Sequence, residues 1–595
     1  MARPVLGSAA AGPSGPDGQP ADGALPTGSG RPGRWPSWGR PGARRPWLRR
    51  LGWTVGLAAV AGALFLAYLR LSNTYPENSD QANLGLAAWD MLHGNLLLHG
   101  WVLSDVSFYT TELPQYALLE LINGLSPGTF HAAAAMTYTL VLLLTVLLAM
   151  GRASDGAGGR EGVTRALIAG GMMLAPQLGV GVFILLLSVG HFGTSVPLLL
   201  TWLVLDRGRP RWYVPVLAAL LLAWASIADT LVLVAGVAPL AAVALVRVAG
   251  ALIARQGWRA VRYPLSLAVA AGAAAALWAG AAPGLRALGA YTVHPVPFHV
   301  IAWSDLGAHA RTTGLSLLAL FGASFRGVHG GWAVTFAAFH LVGLAAAGVT
   351  LIVVVSRFFR RSLVDQLLAV AIVATLLLYL GSNFSSGILN GREIAIVLPF
   401  SAALTARTLA PRLTRPRPAP KAAPLHPQAS LWPQGLRRSV AAFLAVVLAG
   451  YAACLGYQLT QPSVPAANVR LAGWLSAHQL SHGLSGYWQA SSVTVASAGS
   501  KQTPHVTIRA LAGHFSGVVP YEWEAKPGWF DWRTQYANFI VLQNQPGYFT
   551  YWEPTSQLKS VFGTPAVTYH TGPYTILVYH QNLLLTLHQW EQSAS

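Results

Sequence analysis

Long apolar runs recur along the chain, separated by short polar stretches that contain Gly, Pro or Arg. Runs such as LGWTVGLAAVAGALFLAYL and AAAAMTYTLVLLLTVLLAM are long enough, at 1.5 Å per helical residue, to cross about 30 Å of hydrocarbon. The pattern predicts a membrane protein with about eleven spanning helices, at residues 51–71, 128–150, 163–180, 184–205, 212–227, 230–248, 263–282, 332–355, 363–381, 392–409 and 438–459.

Composition supports that prediction. Of 595 residues, 53% are hydrophobic and 10% are charged, which excludes a soluble globular protein of ordinary composition. The first apolar run is preceded by roughly 50 residues and is not followed by a small-residue cleavage site, so it is predicted to be a retained span and not a signal peptide. The single cysteine, Cys454, excludes an intrachain disulfide and any Cys-based metal motif.

The net charge of +19 is carried by Arg residues dispersed among short connections, which favours a topology signal over nucleic-acid binding. Alternate connections are basic, and the positive-inside rule places them in the cytoplasm together with the N-terminus. They contain Arg152, Arg160 and Arg165; Arg207, Arg209 and Arg211; Arg247, Arg255, Arg259 and Arg262; Arg357, Arg360 and Arg361; and the linker RLTRPRPAPK. An odd number of spans then places residues 460–595 outside the cell membrane.

Three segments differ in composition from the predicted spans. Residues 1–50 are rich in Gly, Pro and Ser and predict a disordered, basic cytoplasmic tail. Residues 410–437 form the cytoplasmic Pro/Arg linker. Residues 460–595 contain many Trp residues and short alternating stretches, VTVAS, HVTIRAL and YTILVYH, which predict a C-terminal extracytoplasmic domain that is mixed α/β or β-rich. Its aromatic residues, as in SGYWQAS, suit either an ordinary core or sugar stacking.

The first loop, residues 72–127, has no Lys or Arg, and its acids are Glu77, Asp80, Asp90, Asp105, Glu112 and Glu120. Leu84, Ala88 and Leu92 recur at helical spacing, and the stretch LPQYALLELINGLSP follows, so two interfacial helices are predicted. Asp80 stands at the start of the first helix. It could cap that helix or act as a general base, and the pattern alone leaves both roles open.

The ordered elements ENSDQA, MLHGN and FYTTELPQY resemble the first outer loop of GT-C glycosyltransferases, in the polyprenyl-phosphate-sugar branch of protein mannosyltransferases and lipid A aminoarabinose transferases. The resemblance covers residues 51–459. It implies a membrane enzyme that uses a lipid-phosphate-linked sugar, with Asp80 as the base and Asp105 or Glu112 as the second acid. One departure is Leu113, because aminoarabinose transferases have a phosphate-binding Lys between the acid and the Pro of this element.

Such a transfer needs a carboxylate at the acceptor hydroxyl and positive charge or N–H donors at the leaving phosphate. The tenth span is predicted to begin at Arg392, where a guanidinium and a helix N-terminus can both bind phosphate. Asn390 and Gly391 would allow the phosphate to approach the backbone closely. Arg392 could instead snorkel to the interface or pair with Glu393. Arg311 and Arg326 are the alternative cations.

Other features complete the hypothesis. Glu77, Asp229 and His191 are candidates for the substrate cavity, although packing explains His191 as well. The outer carboxylates could hold a divalent cation, Mg²⁺ or Mn²⁺, but their spacing demands none. The partners are then a polyprenyl-phosphate sugar, membrane lipid and a glycan, lipid or protein acceptor. Arg preferred to Lys suggests a bacterial cell envelope. The alternative function is a multi-span transporter or lipid flippase.

Overall fold

The computed structural model describes residues 46–152, 159–186, 189–294, 296–414, 433–498, 504–514, 517–544 and 555–594. Internal contacts divide the chain into two units, Met1–Ala58 and Ala59–Ser595, and the site described below belongs to the second. The predicted tail therefore lies outside the described residues up to position 45, and a helix begins at Pro46. Most of the predicted linker, residues 415–432, also lies outside them.

Helices make up most of the chain before residue 460. Their bounds are α1 Pro46–Ser72, α2 Ser79–Leu92, α3 Glu112–Asn123, α4 Pro127–Met150, α5 Gly159–Met173, α6 Val180–Leu186, α7 Ser195–Arg207, α8 Tyr213–Ala228, α9 Ala238–Ile253, α10 Trp258–Ala287, α11 Leu306–Leu320, α12 Gly331–Ser356, α13 Leu363–Leu380, α14 Val397–Thr414 and α15 Gln434–Leu459. A π-helical turn, Leu233–Val237, leads into α9, and a 3-10 helix, Ile388–Ile394, precedes α14.

The multi-span prediction is confirmed in kind but not in number. Within the described residues, seven helices are long and apolar enough to cross a membrane, or eight if the pair Ile388–Ile394 and Val397–Thr414, bent by 58°, is one span. The predicted spans 163–180, 184–205 and 212–227 are instead the shorter helices α5 to α8. The chain turns at residues 189–194, inside the second of these predicted spans. Hydropathy does not detect this break because the flanking helices are both apolar.

The start of α2 corrects one expectation about Asp80. Asn78 is the N-cap: its side chain accepts a hydrogen bond from the Gln81 backbone N–H, and the Gln81 side chain accepts one from the Asn78 N–H. Asp80 lies inside the first turn, where a carboxylate is favoured by the helix dipole but caps nothing. The capping explanation for Asp80 is therefore wrong, because Asn78, two residues earlier, makes the capping hydrogen bonds.

The two helices of the first loop differ in their surroundings. On α3, Leu118, Leu121 and Ile122 are exposed, as an interfacial helix requires. Most of α2 is buried and packs against α3, α4 and a helix of the C-terminal region. The interfacial prediction thus agrees with α3, whereas α2 is covered by protein, part of which comes from the distant C-terminal region.

The elements of the C-terminal region are α16 Val469–Ala477, β3 His482–Gly486, α17 Tyr487–Ser497, β4 Thr507–His514, β5 Gly517–Pro520, β6 Phe539–Gln543, α18 Thr555–Phe562, β7 Val567–Thr571, β8 Tyr574–Val578 and α19 Leu583–Ala594. The strands form a six-stranded mixed sheet in the order β5-β4-β3-β6-β8-β7, with β3 parallel to both β4 and β6. The predicted strands HVTIRAL and YTILVYH are confirmed. The predicted strand VTVAS is wrong, since parallel β3 and β4 need a crossover connection and α17 supplies it.

The first loop is hydrogen-bonded to this region. A two-stranded parallel pair joins β1 Val102–Leu103 to β2 Thr292–Val293, and Val102 also exchanges backbone hydrogen bonds with Ala525 at 2.8 and 3.1 Å. Nearby, the Lys526 ammonium lies 2.7 Å from the Asp90 carboxylate. Of the acids of the first loop, Glu77, Asp80 and Asp90 therefore lie near basic side chains from outside the loop.

Candidate functional site

The structure brings Asp80 and Arg392 together. Asp80 projects from the first turn of α2, and Arg392 from the 3-10 helix that precedes α14, so that Asp80 Oδ2 lies 3.6 Å from Arg392 Nη1. Arg392 Nε lies 3.9 Å from Glu393 Oε1. Both contacts are longer than hydrogen bonds, so the guanidinium can still donate to an anion. The Arg392 side chain is 34% exposed and that of Asp80 14%, which leaves both within reach of a ligand.

Three residues that were not singled out for the site hold the other side of Asp80. The Tyr487 hydroxyl lies 2.7 Å from Asp80 Oδ1 and 2.9 Å from Glu524 Oε2. Asn83 Nδ2 donates to the Tyr487 oxygen at 3.1 Å and to Glu524 Oε2 at 3.3 Å. Burial, and next the charge of Asp80, raise the pKa of Glu524 to about 8. At neutral pH Glu524 is therefore mostly protonated.

His191 lies between two carboxylates. Its Nδ1 is 2.9 Å from Asp229 Oδ2 and its Nε2 is 2.5 Å from Glu393 Oε2. Asp229 follows the last residue of α8, where its Oδ1 accepts from the Leu231 N–H at 2.9 Å and its Oδ2 from the Thr194 hydroxyl at 3.2 Å. An imidazole that faces a carboxylate at each nitrogen is held as the imidazolium. Asp229 and His191 thus join the site through Glu393, which borders Arg392.

Asp105 and Glu112 approach the same group. Burial is the largest influence on Asp105 and raises its pKa, with His191 lowering it and Glu393 and Asp229 raising it. Burial raises the pKa of Glu112 to about 8, and Thr111 donates a short hydrogen bond to its carboxyl. Both acids thus lie within electrostatic range of the His191 pair. No hydrogen bond links either to Asp80 within the described residues.

Gly193 makes room for Glu112. A Cβ built on Gly193 would stand 1.8 Å from Glu112 Oε1 and 2.6 Å from its Cδ. We expect Gly193→Ala to lower the free energy of unfolding by about 1–3 kcal/mol, as overpacking does in buried sites, with a lower melting temperature in detergent. Gly348→Ala is the control, since a Cβ there meets nothing within 4 Å. Equal melting temperatures for the two variants would mean that Glu112 does not pack as described.

The remaining candidates have other roles or positions. Asn390 donates to the Phe384 carbonyl at 3.1 Å and to Ser386 Oγ at 2.9 Å. A Cβ on Gly391 would meet Ile184 at 3.0 Å and Ser316 at 3.3 Å. Neither residue is therefore placed as an open phosphate cradle.

Three other candidates lie apart from these contacts. Glu77 is buried and faces His131, with Oε2 3.8 Å from the ring Nε2. Arg311 and Arg326 are exposed. Of the three candidate cations, Arg392 is thus the one that the fold brings to the acids.

A small, mostly apolar cavity of about 20 Å³ adjoins this group of charges, and its polar lining includes His191, Asp229 and Glu393. The apolar lining comes from four elements and includes Leu198, Val232, Ala235, Leu378 and Ile396. One wall is the π-helical turn Leu233–Val237, a distortion that is frequent at functional sites. With room for about one water molecule, the cavity does not by itself hold a lipid chain.

A metal site is not evident among the described residues, which contain no group of three or more His, Cys, Asp or Glu side chains placed to hold an ion. Asp80, Asp229 and Glu393 are instead paired with protein cations or with Tyr487. A divalent cation stays a prediction.

Of the residues that the sequence singles out, the fold brings Asp80, Asp229, His191 and Arg392 into one group, whereas Tyr487, Glu524 and Asn83 are not among its candidates. Tyr487 lies in SGYWQAS, whose aromatic residues suit either a core position or sugar stacking. It is buried, yet its hydroxyl serves Asp80 from 407 positions away in the chain. The signal for Tyr487 is its hydroxyl, since a Tyr in a core position needs a hydrogen-bond partner for that group.

No family model and no curated protein sequence matches this chain. The solved structures that are similar to it include two of ArnT from Cupriavidus metallidurans. The apo form is 13% identical with a TM-score of 0.46, covering 89% of this chain and 98% of that one. The form bound to undecaprenyl phosphate is 13% identical with a TM-score of 0.44, covering 89% and 99%. At this identity and TM-score the matches concern the fold alone and assign no function to this chain.

Proposed function

We propose that this protein is a membrane glycosyltransferase that moves a sugar from a polyprenyl-phosphate donor to an acceptor hydroxyl on the outer face of the membrane that it spans. The observation that carries the proposal is the meeting of Asp80 and Arg392, 3.6 Å apart, with both side chains partly exposed. A carboxylate and an accessible guanidinium are the two groups that the reaction needs.

The reaction proceeds as a single displacement. The acceptor oxygen forms a bond to the anomeric carbon, and the bond from that carbon to the phosphate oxygen breaks, with its electron pair going to the phosphate. The acceptor proton passes to Asp80 Oδ2, the oxygen that Tyr487 does not occupy. Arg392 stabilises the charge that develops on the leaving phosphate. Attack opposite to the leaving group inverts the anomeric configuration.

His191 contributes positioning and charge. Its imidazolium offsets part of the negative charge of Glu393 and Asp229, which would otherwise repel a phosphate next to Arg392 more strongly. Burial raises the pKa of Asp105, and it raises the pKa of Glu112 to about 8, so Glu112 is mostly protonated at neutral pH.

A transporter or lipid flippase is the second candidate, and no feature of the site favours it. Transporters place ionisable residues and broken helices near the bilayer midplane. Here Asp80 lies in the first loop, Tyr487 and Glu524 lie in the C-terminal region, and Arg392 precedes α14.

The direct test is sugar transfer by membranes that contain the full-length protein. Radiolabelled polyprenyl-phosphate mannose, arabinose and glucose are supplied in turn, and both labelled acceptor and released polyprenyl phosphate are measured. We expect label to move from at least one donor, and none from nucleotide sugars. Transfer from no lipid donor would reject the function. Repeating the productive assay with EDTA tests the divalent cation, since loss of transfer that Mg²⁺ or Mn²⁺ restores would establish it.

A further inference from the structure

The C-terminal region contributes two buried polar side chains to the proposed catalytic carboxylate. Tyr487 is the first residue of α17, immediately after β3, and Glu524 lies in the turn after β5. Their side chains meet Asp80 on α2, so that three separate elements converge on one phenol oxygen. The backbone of Glu524 has φ +52°, a left-handed conformation that costs a non-glycine residue free energy. Such strain is retained only where the surrounding contacts enforce it.

Hydrogen-bond geometry limits how the protons are arranged. The Tyr487 hydroxyl has one proton and lies within hydrogen-bonding distance of two carboxyl groups, at 2.7 and 2.9 Å. If both were ionised, only one could accept that proton, and the other would face the phenol oxygen with no proton between them, although Tyr487 and Glu524 are both buried. A proton on Glu524 resolves this conflict: Glu524 donates to the phenol, and the phenol donates to Asp80.

We propose that Glu524 is a positioning residue that, when it is protonated, aims the Tyr487 hydroxyl at Asp80 and so orients the carboxylate toward the acceptor. This inference rests on the proposed function, in which Asp80 is the base. The C-terminal region is then part of the active site itself. Glu524 touches neither substrate nor leaving group and acts through Tyr487.

The groups that face Glu524 come from each element packed around it. Asp80 and Asn83 face it from α2, Tyr487 from α17 and Ser104 from the first loop, and the charge of Arg392 acts on it from beyond Asp80. Asp80 is the one anion among them, and its charge favours the protonated form of Glu524. Loss of the proton would set two carboxylates against one phenol, which disturbs the orientation of Asp80.

The sign of the pH effect follows from the raised pKa of Glu524. Because the folded state binds this proton more tightly than the unfolded chain, its contribution to stability is full below the ordinary Glu pKa and is lost as pH rises through about 8. Transfer should fall over the same range. One pH unit above that pKa, roughly a tenth of Glu524 remains protonated.

Three variants of the full-length protein test the proposal. Glu524→Gln keeps a donor toward the phenol but cannot ionise, Tyr487→Phe removes the link to Asp80, and Glu522→Gln is the matched control because Glu522 is exposed two positions away. Initial rates of transfer and detergent melting temperatures are measured from pH 6 to 9.5.

We expect Glu524→Gln to keep transfer within about threefold of the wild type at pH 7 and to remove the decline above pH 8. Tyr487→Phe should lose roughly tenfold or more at every pH, and Glu522→Gln should follow the wild type. The melting temperature of the wild type should fall relative to that of Glu524→Gln as pH rises through about 8.

A wild-type alkaline decline that survives in Glu524→Gln, or equal losses in Glu524→Gln and Tyr487→Phe at pH 7, would overturn the positioning role. If the wild type transfers no sugar from any lipid donor, it is the proposed function that fails. The melting curves still decide the Glu524 proton in that case: parallel curves for wild type and Glu524→Gln across pH 8 would reject it.

Discussion

Asp80→Asn should lower sugar transfer by about 10²–10⁴-fold, the contribution of a general base, with little change in melting temperature. Asn has the same shape, and its Oδ1 can still accept the hydrogen bond that Tyr487 donates at 2.7 Å. It cannot take a proton from an acceptor hydroxyl. Initial rates with the productive donor and thermal unfolding in detergent measure the two effects together.

Asn78→Ala is the matched control for Asp80→Asn, since Asn78 is the residue that caps α2. Loss of this cap should cost about 1 kcal/mol of stability and lower the melting temperature, while the transfer rate of the folded protein stays near that of the wild type. Asp80→Asn should therefore lower the transfer rate and leave the melting temperature nearly unchanged, whereas Asn78→Ala should do the reverse. Full activity in Asp80→Asn would remove Asp80 from the reaction.

Arg392→Gln should lower transfer by about 10²–10³-fold, the usual effect of removing a group that stabilises transition-state charge, and should weaken binding of undecaprenyl phosphate. The Arg392 guanidinium lies 3.6 Å from Asp80 and 3.9 Å from Glu393 and is 34% exposed, so a phosphate can reach it. Arg392→Lys should recover part of the loss, because Lys keeps the charge but not the fork of donors.

Arg326→Gln provides the control for Arg392→Gln, since Arg326 is an exposed cation and was the alternative phosphate ligand. Binding of undecaprenyl phosphate in detergent and initial transfer rates are compared for both variants. Equal effects would indicate a general electrostatic attraction. Unchanged affinity in Arg392→Gln would locate the phosphate elsewhere.

The sequence predicted much of this site because its signals are local. An acid in a loop without bases, an Arg before an apolar helix and an Asp at a turn between apolar runs are each visible within a few residues. Asp80, Arg392 and Asp229 are singled out in this way. The sequence leaves open whether Asp80 caps α2 because Asn78 and Asp80 both suit an N-cap, and only the backbone position of the helix start separates them.

Other parts of the prediction failed where local signals are ambiguous. The turn at residues 189–194 lies between two apolar helices, so hydropathy predicts a single span across it. This turn places His191 next to Asp229. The stretch VTVAS alternates like a strand but forms part of α17, because the crossover between parallel strands overrides β-propensity. Neither outcome can be derived from a window of ten residues.

By itself the sequence determined that the chain is a multi-span membrane protein with an acidic first loop and a C-terminal region of different character, since hydropathy, charge and periodicity are properties of neighbouring residues. Only the tertiary structure decided which charges meet. It placed Arg392 against Asp80, enclosed His191 between Asp229 and Glu393, and brought Tyr487 and Glu524 to Asp80. The reason is physical: an ion pair or a shared proton depends on separations of a few ångströms between residues that are hundreds of positions apart, and on a burial that the whole fold creates.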